Sequence, residues 1–118
     1  MITIEQLLGM NQFICEDCGQ ESIVINKSAL LSALGTQQWY SAKCMRSAAL
    51  IRSLVIGHGF QDGNKRTAAC SGMLIKQFEC SEDTMIECIL NVATGDLKDV
   101  YEIAYILYPD SLIKEDIS

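Results

Sequence analysis

Proline occurs once in this chain, at 109, so no helix before that point meets a built-in breaker. Long hydrophobic runs are missing too. Ala48-Ala49-Leu50-Ile51 and Leu54-Val55-Ile56 fall far short of the ~20 apolar residues of a membrane span, so no membrane association is expected. The opening MITIEQLLGM has no basic region and no cleavage-like small residues. No signal peptide is therefore expected, and the expected location is cytoplasmic. A basic surplus is also absent. Net charge is −6; residues 1–80 hold seven Lys/Arg against six Asp/Glu, and residues 81–118 hold two against nine. Gripping a nucleic-acid backbone needs excess positive charge on one face, so direct nucleic-acid binding is not expected. The acidic region 81–118 reads as a solvated helical face.

Histidine is equally scarce, with one copy at position 58 against six cysteines at 15, 18, 44, 70, 80 and 88. An even cysteine count suits disulfides, but without an export signal, and with most of these cysteines in helical, apolar contexts, buried free thiols are the expectation. "CEDC" at 15–18 is a CxxC motif. A zinc site would need a second pair or a nearby histidine, and a thioredoxin-like site would need a βαβ setting. Neither is in the sequence, so a metal or redox role is not the expected reading, and the sequence leaves the part played by Cys15 and Cys18 open.

What the chain does have is aliphatic residues at helical spacing. Its 118 residues fit one domain, spanning 1–118, with a core large enough to need no staples. The first helix is expected over about 3–12, capped by Thr3, with Ile4, Leu7 and Leu8 on one face. Residues 13–25 mix turn formers with the β-branched run Ile23-Val24-Ile25, which reads as a loop or short hairpin. A second helix is expected over about 27–34, capped by Asn26 and closed by Gly35. A third, over about 39–56, carries Ala42, Met45, Ala49, Arg52 and Ile56 and ends at Gly57. A fourth starts near Asn64 and runs to about 78, its small residues allowing close packing. Ser81 opens a fifth, which Gly95 ends. Asp96 caps a sixth over about 97–107, with Asp99 completing a capping-box variant, and Pro109 stops it. The expected fold is all-α: a compact single domain of about six helices, with a short β flap between helices one and two.

One stretch departs from this pattern: "GHGFQDGNKRTA", 57 to 68. It falls between the end of one helix and the start of the next. A helix N-terminus offers unpaired N–H groups and the positive end of the dipole. Gly63 can take positive φ, which lets successive N–H groups converge on an anion. Lys65 and Arg66 add charge there, completing a phosphate site. Asp62 beside bound phosphate suits Mg²⁺, which takes one or two protein carboxylates plus phosphate oxygens. His58 is an imidazole, the side chain suited to accept a hydroxyl proton near neutral pH. Phe60, between them, is expected to point inward and anchor the loop. Together they read as base, metal ligand and phosphate cradle, for phosphoryl or nucleotidyl transfer to a hydroxyl. Singly, each residue suits a structural role: a capping histidine, a DGN turn, a solvated Lys-Arg face. That plainer account leaves two cations where the dipole disfavours them, a conflict that a bound anion resolves.

At these residues the chain resembles the Fic/Doc family, whose signature is His-x-Phe-x-(Asp/Glu/Asn)-(Gly/Ala)-Asn-x-Arg. It stands here complete as His58, Phe60, Asp62, Gly63, Asn64 and Arg66. The flap-like segment around 20–26 and "ATGDLKDVYEIAYILY" extend the resemblance over nearly the whole chain. The AMP-transferring branch typically reads Gly-Asn-Gly-Arg-x-x-Arg; here Lys65 fills the third position and Ala69 replaces the second Arg. "DGNKRTA" is instead similar to the death-on-curing, or Doc, branch, known for phosphorylating elongation factor Tu within toxin–antitoxin pairs. Gly63 stands where the founding Doc protein has Ala, and Gly59 where many members have Pro.

The resemblance implies a cytoplasmic toxin transferring the γ-phosphate of ATP to a Ser/Thr hydroxyl of a translation protein. It implies Mg²⁺ and ATP as cofactors and a separate antitoxin chain as inhibitor. His58 would be the base and Asp62 the Mg²⁺ ligand. Gly63, Asn64, Lys65 and Arg66 would face the nucleotide, Arg66 also sharing in catalysis. Ile23, Val24 and Ile25 would dock target backbone. An AMP-transferase, or a catalytically silent binding module of the same fold, are the alternatives. "SLIKED" at 111–116 echoes the family's inhibitory Ser-x-x-x-Glu-(Gly/Asn) helix, but ends in Asp116 and lacks the Arg partner at Ala69. Ser111 to Glu115 therefore read as an acidic tail.

Overall fold

The computed structural model describes residues 1–111. Six α-helices order them: α1 Ile4–Asp17, α2 Lys27–Gly35, α3 Lys43–Gly57, α4 Asn64–Ile75, α5 Glu82–Thr94 and α6 Val100–Leu107. A 3₁₀ helix, Thr36–Trp39, joins α2 to α3. The fold is all-α and a single body around α3. Ala48, Leu50, Ile51, Leu54 and Val55 of α3 are all buried, and every other helix except α1 packs directly against it.

α4 lies closest to α3, and Gly72 is why. A Cβ at Gly72 would sit 2.4 Å from Ile51 Cδ1 and 2.8 Å from Ser47 Oγ. Ser47 Oγ instead donates to the Gly72 carbonyl at 3.2 Å. The buried Tyr108 hydroxyl meets Ser47 Oγ at 2.6 Å and donates to the Lys76 carbonyl at 2.7 Å, tying the end of α6 to both helices. Burial pushes the Tyr108 phenol far above its ordinary value, so it stays a neutral donor.

Several caps fall where the residues place them. Thr3 and Gln6 form a full capping box, Asn26 accepts from Ala29 N–H at 3.1 Å, and Ser81 accepts from Thr84 N–H at 3.1 Å. Other boundaries differ from expectation. α1 runs to Asp17, not 12, because its buried stripe is Leu7, Asn11, Cys15, and the polar member disguised the period. Gly35 does not close α2: its φ is −62°, and the chain winds on into the 3₁₀ helix. Gln37 holds that turn in place, fully bonded to Ile2 N–H, Ile2 O and Leu34 O. α3 consequently starts at Lys43 rather than 39, with Arg46 Nε donating to the Tyr40 carbonyl at 2.7 Å across its entry.

α4 stops at Ile75 instead of 78, since Lys76 turns extended. The N-cap position of α6 is Asp99, not Asp96, and its side chain makes no cap bond; Asp96 instead accepts from Thr94 Oγ at 2.8 Å. The flap is slighter than a hairpin: a single antiparallel bridge, Val24 to Phe60, and no longer strand among the described residues. No helix among them is long and apolar enough to cross a membrane. Of the SLIKED segment only Ser111 is described; its N–H and hydroxyl bond to Glu79.

Candidate active site

The motif loop begins with an unusual backbone. His58 follows α3 at φ +48°, ψ 52°, the only non-glycine residue at positive φ among the described residues. Gly57 had been expected to supply the helix-ending conformation. Its lack of a side chain serves packing instead, since a Cβ there would lie 3.3 Å from Ala29 Cβ of α2. Left-handed backbone costs an L-residue about 1–2 kcal/mol. Such strain persists where the surroundings over-determine it, and it clusters at functional sites. His58 itself is exposed.

Phe60 is buried and anchors the loop, as expected. Its backbone is clamped by Asn64: Phe60 N–H donates to Asn64 Oδ1 at 3.1 Å, and Asn64 Nδ2 donates to Phe60 O at 2.7 Å. Asn64 is 9% exposed and its side chain is bonded to the loop backbone, which leaves its own N–H, at the start of α4, as the group it could offer an anion. Gly63, at φ +78°, is the N-cap of α4 and supplies no side-chain cap. A Cβ at Gly63 would also lie 3.0 Å from Asn11 Nδ2.

A cleft of about 310 Å³ opens over this helix end, lined by Asp62, Gly63, Asn64, Lys65 and Arg66 on one side. Ile14, Cys15, Cys18 and Gln20 form the other side. The first turn of α4 holds no acidic residue. Lys76–Glu79 is the sole ion pair among the described residues, so neither Lys65 nor Arg66 has a carboxylate partner there. An uncapped N-terminus beside two cations that lack a carboxylate partner among the described residues has the donors and charge that suit an anion.

Asp62 is the one carboxylate that lines the cleft among the described residues. The described residues contain no cluster of three or more His, Cys, Asp or Glu side chains able to hold a metal. Asp62 thus fits Mg²⁺ only as a single ligand alongside phosphate oxygens and water, the usual arrangement for that ion.

Two further residues join the site: Asn11, which carries no signature in the sequence, and Cys18 of the CxxC, which is exposed, as is Cys70, where buried thiols were expected. Asn11 of α1 is fully buried. Its Nδ2 donates to the Asp62 carbonyl at 2.9 Å and to Thr67 Oγ at 3.2 Å, and its Oδ1 accepts from Ser22 Oγ at 2.6 Å. One amide so fixes the motif loop, α4 and the approach to the flap. Cys18, the C-cap of α1, accepts from Arg66 Nη1 at 2.9 Å, holding the guanidinium across the cleft. Cys15 is buried behind it, and burial, with added repulsion from Asp62 and Cys18, pushes its thiol up.

The flap runs along the outer edge of the loop. Ile25 and Asn26 N–H both donate to Gly59 O, at 2.9 and 3.1 Å, and Gln61 N–H donates to Ile23 O at 2.9 Å. Those bonds turn the Ile23 carbonyl and Ile25 N–H inward, so alternation points the Val24 N–H and C=O away from the loop. Gly59 is needed for this approach: a Cβ there would fall 2.3 Å from Leu30 Cδ2 and 3.2 Å from Asn26 O. Val24 is 40% exposed and Ile25 61%, while Ile23 is half-buried.

The structure therefore gathers Asp62, Gly63, Asn64, Lys65 and Arg66 around one cleft. It sets Val24 and Ile25 beside the same loop. His58 stands at the loop's other end, outside the cleft lining. No family model matches this chain, and no curated protein or solved structure matches it.

Proposed function

We propose that this chain is a Doc-like toxin that transfers the γ-phosphate of ATP to a Ser or Thr hydroxyl of a translation protein such as elongation factor Tu. The observation that carries the reading is the uncapped N-terminus of α4, where Lys65 and Arg66 stand beside Asp62 without a carboxylate partner among the described residues. The N–H groups of the first α4 turn, with Lys65 and Arg66, hold phosphate oxygens. Asp62 contributes one ligand to Mg²⁺, which when bound neutralises charge on the phosphates. His58 takes the proton of the attacking hydroxyl. The target chain adds to the free edge at Val24 as a short strand, a known mode of peptide recognition. This orients its hydroxyl toward the loop. A cognate antitoxin chain restrains the activity in the cell.

Lys65, and Ala69 in place of a second Arg, favour γ- over α-phosphate transfer by resemblance to the Doc branch. The test uses ATP labelled separately at the α- and γ-positions, incubated with the protein and a translation extract. Label from the γ-position should enter one protein and be lost with His58→Ala. Transfer of α-label would make the chain an AMP-transferase. No transfer of either label would leave a silent binding module.

A further inference from the structure

Cys15 and Cys18 have no part in the proposed reaction, yet both line its cleft. They occupy the last turn of α1 and its C-cap, three residues apart. Cys18 is exposed, and its sulfur receives the Arg66 guanidinium at 2.9 Å. Reactive cysteines sit in such electropositive, accessible surroundings. Cys70 is the other exposed cysteine, and among the described residues no cation bonds its sulfur. Cys15 is buried one turn back, its thiol directed at Asn11 Oδ1 (3.5 Å) and the Asp62 carbonyl (3.8 Å).

Residues three apart on a helix hold their Cβ atoms about 5–6 Å apart, and a disulfide needs roughly 3.5–4.5 Å. The difference is small, and it falls at a helix end. Beyond Cys18 the chain turns at Gly19, φ +72°, and no helix follows until Asn26 caps α2.

We propose that Cys18 is an oxidation site with Cys15 as its resolving partner, and that closing the Cys15–Cys18 disulfide takes Cys18 off Arg66 and weakens the anion cleft. The oxidant is a peroxide. The Cys18 sulfur attacks one peroxide oxygen; the O–O bond breaks, leaving a sulfenic acid and one water. The Cys15 sulfur then attacks the Cys18 sulfur. The S–O bond breaks, hydroxide leaves with the Cys15 proton as a second water, and the disulfide forms. The pair loses two electrons and the peroxide gains them. The functional half rests on the phosphate reading of the cleft; the oxidation half rests on the cysteines alone.

The full chain is treated with limiting hydrogen peroxide, its remaining thiols are alkylated, and peptides are mapped by mass spectrometry. Mg·ATP affinity is measured by titration calorimetry before oxidation, after it, and after reduction with dithiothreitol. A Cys15–Cys18 disulfide should form about tenfold faster than any modification of Cys70. Affinity should fall on the order of tenfold, the loss of a charged hydrogen bond, and return on reduction. Cys18→Ser should show neither change. Cys15→Ser should accumulate a sulfenic acid at Cys18 that a cyclic 1,3-diketone traps. Modification of Cys70 ahead of Cys18, or over-oxidation of Cys18 without a disulfide, overturns the oxidation site. A disulfide with unchanged Mg·ATP affinity overturns the switch. A reduced protein that binds no Mg·ATP overturns the phosphate reading and the switch with it, while the disulfide is judged on the mass spectrum alone.

Discussion

Replacing Asn11 with alanine tests whether one buried amide holds the site together. The side chain has no exposure and makes three strong hydrogen bonds, to the Asp62 carbonyl at 2.9 Å, Thr67 Oγ at 3.2 Å and Ser22 Oγ at 2.6 Å. A net hydrogen bond contributes about 1 kcal/mol, and groups left buried without a partner cost more. Three lost bonds give a destabilisation of about 3 kcal/mol, in a range of roughly 2–4. At about 2.1 cal/mol/K per residue, a chain of this length shifts by about 4 °C per kcal/mol, so the midpoint should fall by about 12 °C. Urea unfolding gives the free energy and thermal unfolding the midpoint. A cycle with Ser22→Ala should reveal a coupling of about 1 kcal/mol, because the two share one bond. A loss below about 1 kcal/mol, or no coupling to Ser22, would refute the hub.

Three further outcomes follow from particular contacts. His58→Gly should raise stability by about 0.5–1 kcal/mol, since relief of left-handed strain exceeds glycine's entropic cost, while removing phosphotransfer; a lower midpoint would contradict the strain. Gly72→Ala should lower stability by about 1–2 kcal/mol, because the new methyl meets Ile51 Cδ1 at 2.4 Å and overpacking outweighs the gain in helix propensity. A neutral result in denaturant unfolding would deny the close approach of α3 and α4.

Glu79 gives a pH dependence. Burial raises its pKa, but hydrogen bonds from Ser111 and Asp110, with Lys76 nearby, outweigh that and hold it below the ordinary value of 4.5. A carboxyl depressed on folding stabilises above its unfolded pKa and loses that contribution as pH falls through the folded one. The stability advantage of wild type over Glu79→Gln should therefore persist at about pH 6 and vanish toward about pH 3. An advantage independent of pH would mean that Glu79 acts through packing.

How far the sequence speaks depends on how local the signal is. Thr3, Asn26 and Ser81 are legible as caps because the bond each makes lies within three residues. The loop from His58 to Arg66 is legible because its residues are contiguous. Asn11 and Cys18 are not, since their bonds to Asp62 and Arg66 span 51 and 48 residues. A buried Asn breaks an apolar stripe in the sequence and completes it in the fold, which hid the second half of α1. Gly57 misled for a related reason. Helix-ending glycines usually supply positive φ, but this one supplies room beside Ala29, and the strained conformation passes to the histidine. Asn64 looks like a phosphate ligand in the motif. Only the fold reveals that its amide is occupied by the Phe60 backbone.

The central claim is that the cleft at the start of α4 holds the phosphates of a nucleotide. Titration calorimetry of Mg·ATP into the reduced chain, its Arg66→Ala variant and its Lys65→Ala variant tests it most directly. The account predicts saturable one-to-one binding, displaced by excess inorganic phosphate. Each variant should weaken it by about 10- to 100-fold, as expected when one charged hydrogen bond is lost. No binding to the wild-type chain, or binding that neither substitution changes, would contradict it.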